Sequence, residues 1–291
     1  MNLENKILLT VIIPHYNSPS SLERLLSSIP RVDSCQVIVI DDHSSIDLTD
    51  VRRAFNWVEF LTQDVGKKWA GAARNKGLSH ARGKYVLFAD ADDYFVPEAF
   101  STINPYLSGE HDVVYFSPTS TYDDGTPSTR HYKYNDLVIK YLENSDDTIR
   151  YEYFVPWSKL FKLSFIKDRN ILFDEVVASN DVMFSLLTGF YGDNFKVSNE
   201  TIYCVVESHN SLTKVISEQV VDSRFKVLCR YNDFVKRELC EGRQIAAVSC
   251  ISRARKISLF KMLSVLFFSL HKGYPIAPNK SGFKRWVKRL F

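Results

Sequence analysis

The chain has few cysteines and no long apolar run, and each shortage excludes a class of protein. Its five cysteines are scattered through 291 residues without a Cys-x-x-Cys pair, which argues against a disulfide framework or structural zinc site and favours a reducing cytosol. No stretch reaches the roughly 18 apolar residues that a membrane-spanning helix requires. The first residues have neither a basic segment nor a small-residue cleavage site, so we expect no signal peptide. The 45% hydrophobic content still suffices for a large buried core.

Acidic residues are absent after Glu241, although the whole chain has a formal net charge of only +3. Residues 242–291 contain eleven Lys and Arg, which leaves 26 basic and 34 acidic residues before them and a net charge of −8 there. Such an acidic body with a basic tail indicates an anionic partner or merely a soluble tail. Nucleic acid is not expected, because no basic groove motif accompanies the tail.

Residues 257–270, ISLFKMLSVLFFSL, are predicted to form an amphipathic helix too short to span a membrane. Ser258, Lys261, Ser269 and, just beyond it, Lys272 can share one narrow polar stripe on this helix. Aromatic and basic residues suit the boundary of an anionic membrane, so we expect residues 253–291 to bind one. The alternative is a helix packed on the core, followed by a solvated basic end.

The first 116 residues alternate between strand and helix patterns, which predicts an α/β fold with a mostly parallel, Rossmann-like sheet flanked by helices. The strand patterns fall at 8–14, 37–41, 58–61, 85–90 and 112–117, and a helix rich in Ala falls at 70–81. The other predictions are a polar excursion at 118–155, helices near 156–170 and 181–191, a strand pair at 195–206, and amphipathic C-terminal helices at 217–240 and 243–271.

Acidic side chains, not glycines, follow the predicted strands. Neither Gly-x-Gly-x-x-Gly nor a P-loop motif is present, which excludes the usual dehydrogenase and P-loop signatures. Asp41 and Asp42 follow the second strand, and the Asp-x-Asp-Asp segment 90–93 follows the fourth. Three carboxylates within four residues ionise together most easily beside a cation, and Mg²⁺ or Mn²⁺ prefers such oxygen ligands. For that segment alone, a solvated turn with a helix cap remains the alternative.

Four segments stand in the order and spacing of a GT-A glycosyltransferase: VIIPHYN (11–17), VIVIDDHSS (37–45), GAARNKGLSHARGKYVLFADADD (71–93) and Asn180-Asp181. The chain resembles family 2, the inverting bacterial group that builds surface polysaccharides. The resemblance is strong over 8–116, moderate over 156–213 and absent beyond. It implies a GT-A fold, a nucleotide-diphosphate sugar donor that is often UDP-linked, a divalent metal (Mn²⁺ or Mg²⁺) and single displacement.

The resemblance also implies roles at the donor site. It places Tyr16 on the nucleobase and the carboxylate of Asp42 on a base N–H, while Asp90 takes the ribose side. The full set of expected nucleotide-sugar residues is Pro14, Tyr16, Asp42, Arg74 and Asp90. Asp92 is the expected metal ligand, with Asp93 as a second ligand or an orienting residue.

On the acceptor side, the resemblance implies that Asp181 is the catalytic base. Asn180 stands where the family usually has Glu, which removes a charge beside the base but not the base itself. Trp157 and Lys159 are expected to line the acceptor pocket, and His209 to contact the diphosphate. The alternatives are a helix cap for Asp181, core packing for Trp157 and a solvated turn for His209.

These expectations divide the chain into a catalytic domain, 1–215, and a basic helical extension, 216–291. The catalytic domain has a donor half, 1–117, and an acceptor half, 118–215. The expected function is inverting transfer of one sugar to a lipid-linked, lipopolysaccharide or capsule glycan at the cytoplasmic face of the cell membrane. A nucleotidyltransferase acting on sugar phosphates and a non-catalytic membrane-surface module remain the alternatives.

Overall fold

Parallel strands form where the sequence has its continuous apolar runs. The computed structural model of the chain describes residues 7–207, 216–239 and 241–277. The first four strands are β1 (Leu9–His15), β2 (Cys35–Asp41), β3 (Glu59–Thr62) and β4 (Tyr85–Phe88). β1 pairs in parallel with β2 on one side and β4 on the other, and β2 pairs in parallel with β3. This arrangement confirms the predicted α/β sheet, whose carboxyl ends all lie at one edge.

Three helices cover this part of the sheet: α1 (Pro19–Ser27), α2 (Thr49–Ala54) and α3 (Trp69–His80). α1 buries three leucines at helical spacing. α3 packs closely on β1 and β2 at Gly77, where a Cβ atom would meet the side chains of Ile12 and Ile40. The small residue at this position therefore sets how near α3 lies to the sheet.

The second part of the sheet contains antiparallel pairs and differs from the prediction. Its elements are β5 (Tyr94–Phe95), α4 (Ala99–Leu107), β6 (Val113–Tyr122), α5 (Tyr132–Asn144), α6 (Ile149–Glu152), β7 (Lys159–Lys162), α7 (Leu163–Asp168), α8 (Val182–Tyr191) and β8 (Phe195–Glu207). Within the described residues the strand order is β3-β2-β1-β4-β7-β6-β8-β5.

Three predictions for this part were wrong. The helix predicted near 156–170 begins instead as β7, which lies antiparallel between β4 and β6. The strand pair predicted at 195–206 is one long strand, β8, parallel to β6. The polar excursion contains the helix α5, whose Leu137 and Val138 are buried. In each case the tertiary partners of the segment outweigh its local pattern.

The chain divides into two compact units, the first being 1–176 with 184–209 and the second 177–183 with 210–291. The first unit contains the whole sheet. The second contains α9 (Glu218–Glu238), a 3-10 turn (Glu241–Arg243), α10 (Val248–Arg255) and α11 (Leu259–Lys272). The helix predicted at 243–271 is thus broken, and Ser258 caps α11 by accepting a hydrogen bond from the Lys261 N–H. Across the described ranges, no helix is both long and apolar enough to cross a bilayer.

Candidate functional site

Hydrogen bonds lock the loops that follow β1 and β2. His15 is buried, its Nδ1 lies 3.1 Å from Asp41 Oδ1, and its Nε2 accepts the Ser18 N–H at 3.1 Å. Because Nε2 accepts, the ring proton lies on Nδ1 and is donated to Asp41. Asp41 Oδ1 also accepts the Ser44 hydroxyl at 2.5 Å. The two strand ends therefore form one rigid unit.

Asn17 extends this unit with an unusual backbone. Its N–H donates to Ser44 Oγ at 2.8 Å, and its Oδ1 accepts the N–H of Ser45 at 2.8 Å. Both Asn17 and His43 have left-handed backbones, with φ of 51° and 60°. Such conformations are costly outside glycine and concentrate at functional sites. The hydrogen bonds hold these loops in place and leave the ring of Tyr16 exposed to solvent.

Asp42 connects the end of β2 to the start of α3. Its Oδ2 accepts the backbone N–H of Trp69 at 2.8 Å, and Trp69 has a left-handed φ of 78°. Its Oδ1 is buried and has no hydrogen-bond partner among the described residues. The same is true of Nε2 of Gln63, which follows β3. A buried acceptor and a buried donor without partners cost free energy, which a polar ligand could recover.

The acidic loop, Asp90–Asp93, is fixed by contacts on both sides. The buried guanidinium of Arg74, on α3, pairs with Asp90 Oδ1 and lies 5.3 Å from the ring centroid of Phe173. The N–H of Asp90 donates to Tyr203 Oη at 2.8 Å, and that hydroxyl donates to Asp93 Oδ2 at 2.9 Å. Tyr203, on β8, thus holds the first and last residues of the loop.

Asp93 is the best-anchored carboxylate of the loop. In addition to the Tyr203 hydroxyl, it accepts the N–H of Val206 at 2.8 Å, and the residue is buried. Both oxygens are therefore engaged with β8. This placement does not favour the predicted role as a metal ligand and supports the other expectation, an orienting residue.

Asp92 has the opposite environment, since its side chain reaches solvent. Crowding by nearby protein atoms and the charge of Asp90 raise its pKa to about 6, against the charges of Arg130 and Arg24. Burial and the charges of Asp92 and Asp90 also raise the pKa of Asp93 well above its usual range. A bound cation would relieve this crowding of negative charge. The described residues contain no group of three or more His, Cys, Asp and Glu that could hold a metal alone.

The predicted acceptor residues lie in the core of the first unit. Trp157 is buried and stacks on Tyr203, with ring centroids 5.8 Å apart and 15° between planes. Lys159 is buried as well, and its Nζ donates to the Tyr153 carbonyl at 2.8 Å and to Ser185 Oγ at 3.2 Å. An acceptor cannot reach either side chain without rearrangement. This burial agrees with core packing, the alternative given for Trp157, and does not favour an acceptor contact for Lys159.

Asp181 belongs to the second unit, in the turn directly before α8, and is half-buried. Its negative charge acts on Arg224 of α9, whose pKa is lowered mainly by burial and by Arg253. Asn180 lies in the same turn. Pro14 is half-buried near the end of β1, next to the hydrogen-bonded loops that follow β1 and β2. His209 lies outside the described residues.

Sequence patterns missed three residues of this site. Arg24 on α1 donates to the carbonyl of Asp92, and Arg130 acts on the same residue by its charge. Tyr203 holds the acidic loop. No short motif contains any of the three, because each comes from an element distant in sequence from 90–93. Only the pairing of β8 with β5 and β6 could have indicated Tyr203.

The loops at the strand ends and the fold together indicate the class of protein. In open α/β sheets ligands bind beyond the carboxyl ends of the strands, and there this chain presents an exposed aromatic ring, a carboxylate pair and an acidic loop. The sequence model of glycosyl transferase family 2 matches residues 10–170, more than half of the chain. The chain therefore belongs to glycosyltransferase family 2, as its resemblance implied.

Among curated relatives, poly(ribitol-phosphate) beta-N-acetylglucosaminyltransferase TarS of Staphylococcus aureus is 24% identical over 204 residues. That match covers 67% of this chain but only 34% of TarS, so the chain spans about a third of that relative. The uncharacterized glycosyltransferase EpsJ of Bacillus subtilis is 23% identical over 231 residues, 75% of this chain and 67% of EpsJ.

Solved structures confirm the GT-A fold. TarS 1–349 of S. aureus in complex with UDP-GlcNAc superposes with a TM-score of 0.66 at 20% identity, covering 86% of this chain and 73% of that one. The mannosyltransferase PcManGT of Pyrobaculum calidifontis, with GDP-Man and Mn²⁺, gives 0.56 at 16% identity, covering 97% and 80%. At these identities the likeness concerns the fold.

Proposed function

We propose that this glycosyltransferase moves one sugar from a nucleotide-diphosphate sugar, UDP-linked, to an acceptor hydroxyl with inversion at the anomeric carbon. The observation that supports it best is the position of the acidic loop. Arg74 and Tyr203 hold this loop at the end of β4, at the same edge of the sheet as the rigid loops after β1 and β2. The solved structure of TarS contains UDP-GlcNAc. The structure of glucosyl-3-phosphoglycerate synthase of Mycobacterium tuberculosis contains UDP and Mn²⁺ and superposes on this chain with a TM-score of 0.51.

The donor is bound by the strand-end residues. Tyr16, exposed and held by a rigid loop, stacks on the nucleobase. Asp42 accepts a base N–H, which would satisfy its unpartnered Oδ1. Asp90 lies on the ribose side, and the guanidinium of Arg74 keeps it oriented. Pro14 fixes the direction in which the chain enters the loop.

Asp92 would hold a divalent metal, Mn²⁺ or Mg²⁺. The site fits it, because Asp92 is the accessible carboxylate of a crowded acidic loop and such ions usually share one or two carboxylates with substrate phosphates. When bound, the metal neutralises charge on the departing nucleoside diphosphate. Asp93 does not ligate it in this proposal but, through Tyr203 and Val206, holds Asp92 in position.

Asp181 is the proposed catalytic base. It takes the proton of the acceptor hydroxyl while that oxygen bonds to the anomeric carbon and the bond to the donor phosphate breaks. The start of α8 gives the carboxylate a rigid mount. Asn180, in place of the usual Glu, keeps a second negative charge away from the base. His209 remains a proposed diphosphate contact, whereas Trp157 and Lys159 no longer have a proposed acceptor role.

The acceptor is proposed to be a growing surface glycan or lipid-linked polymer at the cytoplasmic face of the cell membrane. The basic segment after Glu241, which has no acidic residue, supports an anionic surface as a partner. Polymer-modifying relatives such as TarS support an acceptor of this general kind.

The proposal is tested by release of nucleoside diphosphate from UDP-, GDP- and CMP-sugars, with Mn²⁺ or with EDTA. Release from one donor that EDTA abolishes would support it and would identify the donor. If nothing is released, donor binding is measured next by calorimetry, because a strict acceptor requirement would also silence the assay. Failure of every donor to bind would overturn the proposal and favour a binding module.

A further inference from the structure

Helix α11 has its polar stripe turned toward the protein. Lys261 Nζ lies 3.2 Å from Glu218 Oε1 and 2.6 Å from Asp222 Oδ1, both on α9. Ser269 is fully buried, and its hydroxyl donates to the Val265 carbonyl at 2.7 Å. Lys272 Nζ lies 3.8 Å from Asp233 Oδ2, also on α9. Lys261 and Lys272 of the stripe therefore pair with α9, and Ser269 is buried beside Val265.

The opposite side of α11 exposes large apolar side chains. Leu259, Phe260, Phe267 and Leu270 have 65%, 82%, 63% and 54% of their surface exposed. At about 100° per residue these four lie within an arc of roughly 100°, with Leu263 between them. We name Leu259, Phe260, Leu263, Phe267 and Leu270 the α11 apolar face. It is an inverted amphipathic surface, apolar toward solvent and polar toward the protein.

Basic side chains flank this face at both ends. Arg255 and Lys256 are exposed just before α11, and His271 and Lys272 are exposed at its end. Three acidic residues of α9, Glu218, Asp222 and Asp233, are paired with Lys261 and Lys272 on the other side of the helix. The chain has no acidic residue from 242 onward to neutralise the flanking charges.

We propose that the α11 apolar face docks in the surface of an anionic lipid bilayer, with α11 parallel to the membrane plane. Fourteen residues make a helix about 21 Å long, which suits insertion along the interface and is too short to span. Leucine and phenylalanine enter the acyl boundary, while Arg255 and Lys256, which are exposed just before α11, meet anionic headgroups. This deepens the proposed membrane-held acceptor by giving the enzyme its lipid-contacting residues.

Charge favours the bilayer over protein occupants of the same face. A second copy docked face to face would bring two sets of flanking cations together. The chain's own residues 278–291 contain five Lys and Arg and no Asp or Glu, so they too would add like charge. An anionic bilayer is the occupant that accepts both the apolar side chains and the cations.

The test uses the full-length chain with vesicles made of equal parts phosphatidylcholine and phosphatidylglycerol, without donor or metal, and measures partitioning by flotation. The double variant Phe260→Ser/Phe267→Ser is compared with Ile139→Ser/Leu142→Ser on α5, whose side chains are 47% and 48% exposed. Circular dichroism and thermal unfolding verify that both fold. The α11 variant should lose at least about tenfold in partitioning, since burying one Phe is worth more than that, and the α5 control should partition like the parent chain.

Equal partitioning of the parent and the α11 variant would overturn the proposal. Equal binding to vesicles of phosphatidylcholine alone would overturn the anionic preference. Sedimentation without lipid tests whether a second copy of the chain occupies the face. If the parent chain is a dimer and the α11 variant is a monomer, the face is a self-association surface instead. Because no substrate is present, each of these failures leaves the sugar-transfer proposal standing, and failure of sugar transfer leaves this one standing.

Discussion

Replacing Tyr203 with phenylalanine removes one oxygen atom from the centre of the acidic loop. That oxygen accepts the N–H of Asp90 and donates to Asp93 Oδ2. The ring would remain, and with it the stacking on Trp157. The substitution therefore separates hydrogen bonding from packing at a fully buried position.

The expected cost follows from the two groups left behind. The N–H of half-buried Asp90 loses its acceptor, and the buried carboxylate of Asp93 loses one of its two donors. A hydrogen bond to a charged group contributes about 1.5–3 kcal/mol, and a buried unsatisfied donor costs about 1–3 kcal/mol. We expect the free energy of unfolding to fall by about 3 kcal/mol, as the two effects share one oxygen and are not additive.

Tyr153→Phe is the matched control. Tyr153 is also fully buried, but its hydroxyl donates to a neutral carbonyl, that of Phe116, at 3.1 Å, away from the acidic loop. Its removal should cost about 1 kcal/mol. Denaturant unfolding gives both stabilities, and calorimetric titration with UDP and Mn²⁺ gives donor-site binding. Only Tyr203→Phe should weaken that binding, by about tenfold or more, through the displaced Asp92. Equal stability losses and unchanged binding in both variants would refute the assignment of Tyr203 as the residue that positions the loop.

Three further predictions concern other parts of the site. Asp92→Ala should abolish metal-dependent binding of nucleoside diphosphate, whereas Asp181→Ala should abolish transfer but leave that binding intact; equal loss of binding in calorimetry would contradict the roles. Binding with Mn²⁺ should weaken as pH falls through about 6, because the proton that the raised pKa of Asp92 retains must leave before the cation binds; a flat calorimetric profile from pH 7 to 5 would argue against Asp92 as the ligand. Lys159→Ala should lower the free energy of unfolding by about 3 kcal/mol by orphaning buried partners; normal stability with a raised acceptor KM would restore its acceptor role.

The donor side of the sheet could be predicted from sequence, for a physical reason. β1, β2 and β4 are buried on both faces, so their residues form continuous apolar runs. The polar residues that end those runs, Asp42 and Asp90 among them, must then lie at one sheet edge. The roles of Tyr16, Asp42 and Asp90 came from the resemblance to family 2 and remain predictions. Short-range patterns suffice because each loop follows directly from its own strand.

The acceptor side could not be predicted in the same way. β7 carries a lysine, Lys159, in the middle of the sheet, and a fully buried lysine is rare enough to mislead any pattern. Its charge is tolerated because the carbonyl of Tyr153, before β7, and the hydroxyl of Ser185, on α8, accept hydrogen bonds from its Nζ. Asp93 presents the same difficulty, since the donors that engage it lie more than a hundred residues away on β8.

The orientation of helix α11 could not be predicted from its sequence. Its sequence establishes that a polar stripe and an apolar face exist, but amphipathicity alone permits two orientations. Burial of apolar surface would ordinarily turn the apolar face inward. Here Glu218, Asp222 and Asp233 on α9 lie where they pair with Lys261 and Lys272, so the stripe faces inward and Phe260 and Phe267 face out. Surface ion pairs of this kind contribute little each, about 0–1 kcal/mol. The exposed apolar face therefore costs the isolated chain free energy that these contacts offset only partly, and a bilayer that covers the face would supply the remainder.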